Sequence, residues 1–154
     1  MKQIKILLVT VATILLFNSC EKIIDENGHR ITYYKNKTAV GYLFYKFEND
    51  SIAPITNFKM ESYCSGENRG WIFPWGKSHT DYVYTDDNGK YMCKLVKKID
   101  NDKVTYYEIK YGQSFPIVPT YIEGNGEKSG SFFYTDIKNI ETWYLDTTFC
   151  YIKK

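Results

Sequence analysis

The stretch TDYVYTDDNGKYMCKLVKK, Thr80 to Lys98, decides the fold class. Its second half alternates: Tyr91, Cys93 and Leu95 share one parity, while Lys90, Lys94 and Lys98 share the other. Period-two alternation of this kind describes a half-buried strand, because a one-residue slip would carry the lysines into the core. DDNG, between Tyr84 and Lys90, is a strong hairpin or tight-turn signal.

Working outward, five more segments read as strands. TAVGYLFYKFE (Thr38–Glu48) places Leu43, Tyr45 and Phe47 on one face, and ITNFKMESYC (Ile55–Cys64) pairs Phe58 with Met60 against Asn57, Lys59 and Glu61. TDYVYT (Thr80–Thr85) precedes the turn. KVTYYEIKYG (Lys103–Gly112) follows a second turn, IDND, and the chain ends in IETWYLDTTFCYIKK (Ile140–Lys154). In that last segment Trp143, Leu145, Phe149 and Tyr151 share a parity and are expected to face inward together. The 15 Tyr and 9 Phe suit strands, and no amphipathic helix is evident. The expectation is an all-β domain, a single antiparallel β-sandwich of about seven strands, spanning residues 38–154.

The order of these signals resembles the carboxypeptidase-regulatory-like group of transthyretin-type sandwiches. There a Thr-Asp-x-Asn-Gly-x-Tyr/Phe motif closes the turn into a central strand; here it is Thr85, Asp86, Asp87, Asn88, Gly89, Lys90 and Tyr91. The resemblance covers roughly residues 38–111. It implies a transthyretin-like or immunoglobulin-like sandwich with an accessory or binding role, since fold alone confers no activity. Two insertions depart from the pattern, SGENRGWIFPWGKSH (Ser65–His79) and GQSFPIVPTYIEGNGEKSG (Gly112–Gly130).

The N-terminus speaks to location. Lys2 and Lys5 precede an uncharged run, Ile6 to Phe17, of about 12 residues, short of the ~20 needed to span a bilayer. Phe17-Asn18-Ser19-Cys20 then resembles the relaxed lipobox of exported lipoproteins of gut-dwelling Gram-negative bacteria. The expectation is a signal peptide over 1–19, lipidation at Cys20, and a polar tether over 20–37 that reaches roughly 55 Å when extended. The lipid would hold the protein in the cell envelope at the outer membrane. Loss of residues 1–19 removes two lysines and no acid, leaving 18 basic and 18 acidic side chains. A neutral chain carries no electrostatic footprint for nucleic acid, and no basic run suited to an anionic membrane.

Catalytic chemistry is sparse. The two histidines, His29 and His79, form no zinc spacing, and no Gly-x-Ser-x-Gly elbow or phosphate loop occurs. Asp86, Asp87 and Asn88 read as turn residues and not calcium ligands, because the twelfth position from Asp86 is Lys97. No metal, cofactor or catalytic residue is expected. Cys64, Cys93 and Cys150 suit buried packing, with a Cys64–Cys93 bridge the alternative.

Arg69, Trp71, Phe73, Trp75 and His79 crowd one loop and form the candidate binding site. Flat rings beside hydrogen-bonding groups suit a glycan or a partner envelope protein. The alternative is that these rings fold back as a lid over the core. Two functions stay open: a lipid-anchored binding or scaffold module, and a small envelope hydrolase whose site assembles only in three dimensions. Exposed aromatics in a shallow groove favour the first, and a deep pocket holding His79 with a carboxylate favours the second.

The anchor is testable directly. Labelled fatty acid should enter the wild-type protein, while Cys20→Ala should take up none and accumulate as precursor or soluble protein. Label in the variant would end the lipoprotein reading.

Overall fold

In the computed structural model, residues 22–66, 76–124, 131–134 and 141–153 are described. They form eleven strands: β1 (Lys22–Ile24), β2 (Arg30–Phe47), β3 (Ile52–Pro54), β4 (Lys59–Gly66), β5 (Ser78–Tyr84), β6 (Lys90–Ile99), β7 (Asp102–Tyr111), β8 (Tyr121–Glu123), β9 (Ser131–Tyr134), β10 (Thr142–Tyr144) and β11 (Thr148–Ile152). The protein is all-β. Its hydrogen-bonded order is β5-β4-β7-β6-β2-β11-β8, an open mixed sheet, with β1, β3 and β10 attached to β2 and β9 attached to β7.

Strand faces follow the alternation. Leu43 and Tyr45 of β2, Met60 and Cys64 of β4, and Tyr91, Cys93 and Leu95 of β6 are buried in one cluster with Phe58, Tyr107, Ile109 and Cys150. Lys94 and Lys98 are exposed. The β6–β7 hairpin pairs only at Lys98↔Lys103 and Ile99↔Asp102, after which β6 follows β2 and β7 follows β4. That divergence opens the space the core fills. Among the described residues β4 and β5 also approach β6 without pairing to it.

The structure corrects several expectations. Pairing is not wholly antiparallel, because β10 and β11 both run parallel to β2, and short strands raise the number above seven. The shared parity expected for the last segment also breaks. From Tyr144 to Thr148 the chain advances four residues while its partner positions on β2, Val40 to Leu43, advance three. The extra residue acts as a bulge and reverses the facing side. Leu145 is therefore buried as expected, but in β11 Thr148 and Cys150 face inward, and Phe149 and Tyr151 lie on the outer face. Finally, the segment expected as tether is built into the sheet from Lys22 onward, with β1 pairing to Arg30–Thr32 of β2. Ile31 explains the capture, since it is fully buried.

DDNG is a tight turn and does not close a β5–β6 hairpin, because β5 pairs with β4 and β6 with β2. The Asp86 carboxylate accepts the N–H groups of Asn88 and Lys90 at 2.9 and 3.0 Å. Gly89 adopts φ 72°, and its carbonyl accepts Leu43 N–H at 2.9 Å, plugging the turn into β2. Thr85 is buried, donating to the Ile55 carbonyl at 2.6 Å and accepting Phe58 N–H at 2.9 Å. The motif thus ties three parts of the chain together.

A Cβ on Gly89 would lie 2.4 Å from the Leu43 carbonyl oxygen, which itself accepts Ile55 N–H. Gly89→Ala combines that clash with left-handed strain and should cost roughly 2–4 kcal/mol. Urea denaturation checks it, and a loss below ~0.5 kcal/mol would show that the turn does not brace β2.

Candidate functional site

Of the expected site residues, His79 is described, and Arg69, Trp71, Phe73 and Trp75 lie outside the described residues, as does Cys20. The loop that carries them leaves β4 at Gly66 and returns beside it, where Gly66 N–H donates to the Lys77 carbonyl at 2.8 Å. His79 follows on β5.

Only 9% of His79 is exposed, and both ring nitrogens face carboxylates. Nδ1 lies 3.2 Å from Asp25 Oδ2 and Nε2 lies 3.0 Å from Asp81 Oδ1. The Tyr33 hydroxyl donates to Asp81 Oδ2 at 2.8 Å. Asp25 is set by its own turn: its Oδ1 accepts Asn27 N–H at 3.0 Å and His29 N–H at 2.7 Å. Its side chain is 5% exposed, roofed by that turn and lying near the surface. Four elements thus converge: the β1–β2 turn, β2, β5, and β4 through Cys64, the ladder partner of His79.

Burial is the largest influence on the imidazole and by itself lowers its pKa. The hydrogen bond and charge of Asp81, then those of Asp25, outweigh it, and the net shift is upward from 6.5. For Asp81, burial raises the pKa but hydrogen bonds from His79 and Tyr33 win, and the net shift is downward from 3.8. Asp25 is likewise lowered, with burial overcome by the N–H of His29 and the ring of His79. With a carboxylate within hydrogen-bond distance of each ring nitrogen, the protonated imidazole can donate from both, and in that form neither nitrogen keeps a lone pair for a substrate proton.

The thiols add no nucleophile. Cys64, Cys93 and Cys150 are buried and free, so the alternative Cys64–Cys93 bridge is not formed. Burial pushes each up to about 12, far from thiolate at neutral pH. Cys93 instead shares a hydrogen bond with Ser62 across the core.

Beside the cluster lies a cleft of about 520 Å³, lined by Ile24, Glu26, Asn27, Ser78, Thr80 and Tyr82 together with Asp25, His79 and Asp81. Asp25, Asp81 and Tyr33 were not among the residues singled out from the sequence. One signal was present: His79 and Asp81 are two apart on one strand and so share a face. Asp25 and Tyr33 gave none, being 54 and 46 residues from His79.

A second feature occupies the outer face. Tyr42 and Phe44 stack with centroids 6.4 Å apart, Phe44 and Phe149 at 6.0 Å, and Tyr151 and Tyr121 at 4.0 Å. Lys46 lies over the Tyr151 ring at 5.2 Å, and the Tyr151 hydroxyl donates to Glu123. Tyr121 is 54% exposed. Within the second insertion, Phe115 does the opposite, folding onto Phe58 at 4.7 Å as part of the core cover.

Comparison with known protein families finds none that matches the chain, and comparison with curated proteins finds no match.

The cluster's pH dependence follows from the shifts. His79, raised above 6.5, contributes stability that is complete below pH 6.5 and lost as pH rises through its folded pKa. Asp25 and Asp81, lowered below 3.8, contribute above that pH and lose it on acidification. As pH rises above 6.5, through the raised folded pKa, wild-type stability should fall relative to His79→Gln, by less than the one-proton limit of about 1.4 kcal/mol per pH unit. Parallel urea-denaturation profiles for the two proteins would refute this account.

Proposed function

We propose that the protein is a lipid-anchored cell-envelope binding module, held at the outer membrane through Cys20, that engages a glycan or a partner envelope protein and does not catalyse. The observation that carries this reading is the row of stacked rings on the outer face of β2, β11 and β8. Stacked rings are already ordered by their neighbours, so a ligand laid on them loses little side-chain freedom, and their faces suit apolar C–H surfaces of sugars. The polar rim of Lys46, Thr120 and Glu123 supplies donors and acceptors around Tyr121 and Tyr151.

A transthyretin-like sandwich is the finer form of the fold in this reading. Support comes from the parting of β6 and β7 after two pairs, and from Tyr33–Asp81 and Ser62–Cys93 hydrogen bonds that cross between β2 or β6 and β4 or β5. The motif from Thr85 to Tyr91 forms the turn into β6.

The hydrolase alternative draws on His79 and its carboxylates beside the cleft. Against it stand the two occupied ring nitrogens and the high thiol pKa values. A buried ion cluster of this form ties the β1–β2 turn to β5.

Screening the mature domain on a glycan array and against envelope extracts tests the reading. Tyr121→Ala and Phe149→Ala should lower any affinity roughly tenfold or more while Tyr121→Ala costs within ~0.5 kcal/mol of stability. Loss of binding only in Trp71→Ala/Trp75→Ala would move the site to the 65–80 loop. Binding unaffected by either set, or no ligand at all, would overturn it.

A further inference from the structure

The nearly balanced total, 20 basic against 18 acidic side chains, hides a charge segregation that the sheet creates. Strands β1, β2 and β6 are neighbours and together contain nine Lys and Arg and no Asp or Glu. At the β1 end these charges form a row: Lys22 stands opposite Thr32, Thr32 opposite Lys98, and Lys98 opposite Lys103. Thr32, Lys98 and Lys103 face outward, because the adjoining row of Ile31 and Ile99 is buried. Arg30, Lys97, Lys98 and Lys103 are exposed, and Lys97 lies on the same face, 5.9 Å from the Tyr34 ring centroid.

Carboxylates at this end turn the other way. Asp102 stands opposite Ile99 and shares its inward side. Asp25 and Asp81 are committed to His79, and the Asp100 carboxylate accepts Lys77 at 2.7 Å and Arg30 N–H at 2.8 Å. The outward row is cationic without compensation from β1, β2 or β6.

The chain also limits how far this row can stand from the acyl chains. β1 begins at Lys22, two residues after Cys20, a covalent reach of at most ~7 Å. That holds Lys22 within a Debye length of about 8 Å at physiological salt, the range over which headgroup charge acts. Lys98 and Lys103 follow two and three strand spacings along the row, roughly 10 and 14 Å from Lys22, so they reach headgroups when the row lies along the membrane surface. The expected 55 Å tether would have put the lysines beyond that range.

We propose that the β1 end of the β1–β2–β6 face is a headgroup-binding surface for the anionic leaflet that holds the Cys20 acyl chains, seating the domain against the membrane. This rests on the lipid-anchored reading of Cys20. It leaves the aromatic half of the same face, at the other end of β2, directed away from the anchor.

The mature chain from residue 20, produced without export and so without acyl groups, should cosediment with phosphatidylcholine vesicles containing phosphatidylglycerol. It should not cosediment with phosphatidylcholine alone, and raised salt should release it. Lys98→Gln/Lys103→Gln should lower partitioning roughly 30-fold and Lys98→Glu/Lys103→Glu further, with melting temperatures unchanged. Equal binding to both vesicles, partitioning unaffected by the substitutions, or capture by heparin with no vesicle binding would overturn the proposal. Because the chain tested is unacylated, such a result condemns this surface alone, and fatty-acid labelling judges the anchor separately.

Discussion

Eighteen residues of continuous strand, β2, present two rows of backbone N–H and C=O groups about 60 Å long. Leaving such groups unpaired in the interior costs ~1–3 kcal/mol each, so the rest of the chain is arranged around satisfying them. β6 and β3 take one edge, while β1, β10 and β11 take the other. No single partner is long enough. The sheet is mixed because β10 and β11 complete the second edge parallel to β2, whereas β1 completes it antiparallel.

Closing that edge also sets the faces. Tyr91 lies over Gly41, where a Cβ would meet its ring, so β6 sits against β2 at the one position without a side chain. The one-residue excess between β10 and β11 sends Cys150 into the core and Phe149 and Tyr151 outward. A stacked aromatic surface is thus a consequence of edge completion. Its other end, where β1 closes the edge, is cationic.

His79 shows the electrostatic counterpart. Burying an imidazolium and two carboxylates incurs a desolvation cost that hydrogen bonds only partly offset, so the cluster is weak evidence of stabilisation and stronger evidence of specific docking. It holds the β1–β2 turn against β5. The same cluster holds Asp25 and Asp81 on His79, away from the outward row of Lys98 and Lys103.

Sequence by itself determined six strand-bearing segments and most of their inward faces, because alternation over Leu43 and Tyr45, Met60 and Cys64, or Tyr91, Cys93 and Leu95 is a local property of a pleated chain. It also determined the turn at Asp86–Gly89, since left-handed φ favours glycine there. Tertiary structure alone decided the partners of His79, the reversal of facing between Leu145 and Cys150, the capture of Lys22–Ile24 by β2, and the gathering of Lys22, Lys98 and Lys103 into one row. Each of these depends on register between segments distant in sequence, and register is set by which edge is free and which side chains fill the core, quantities that no local pattern carries.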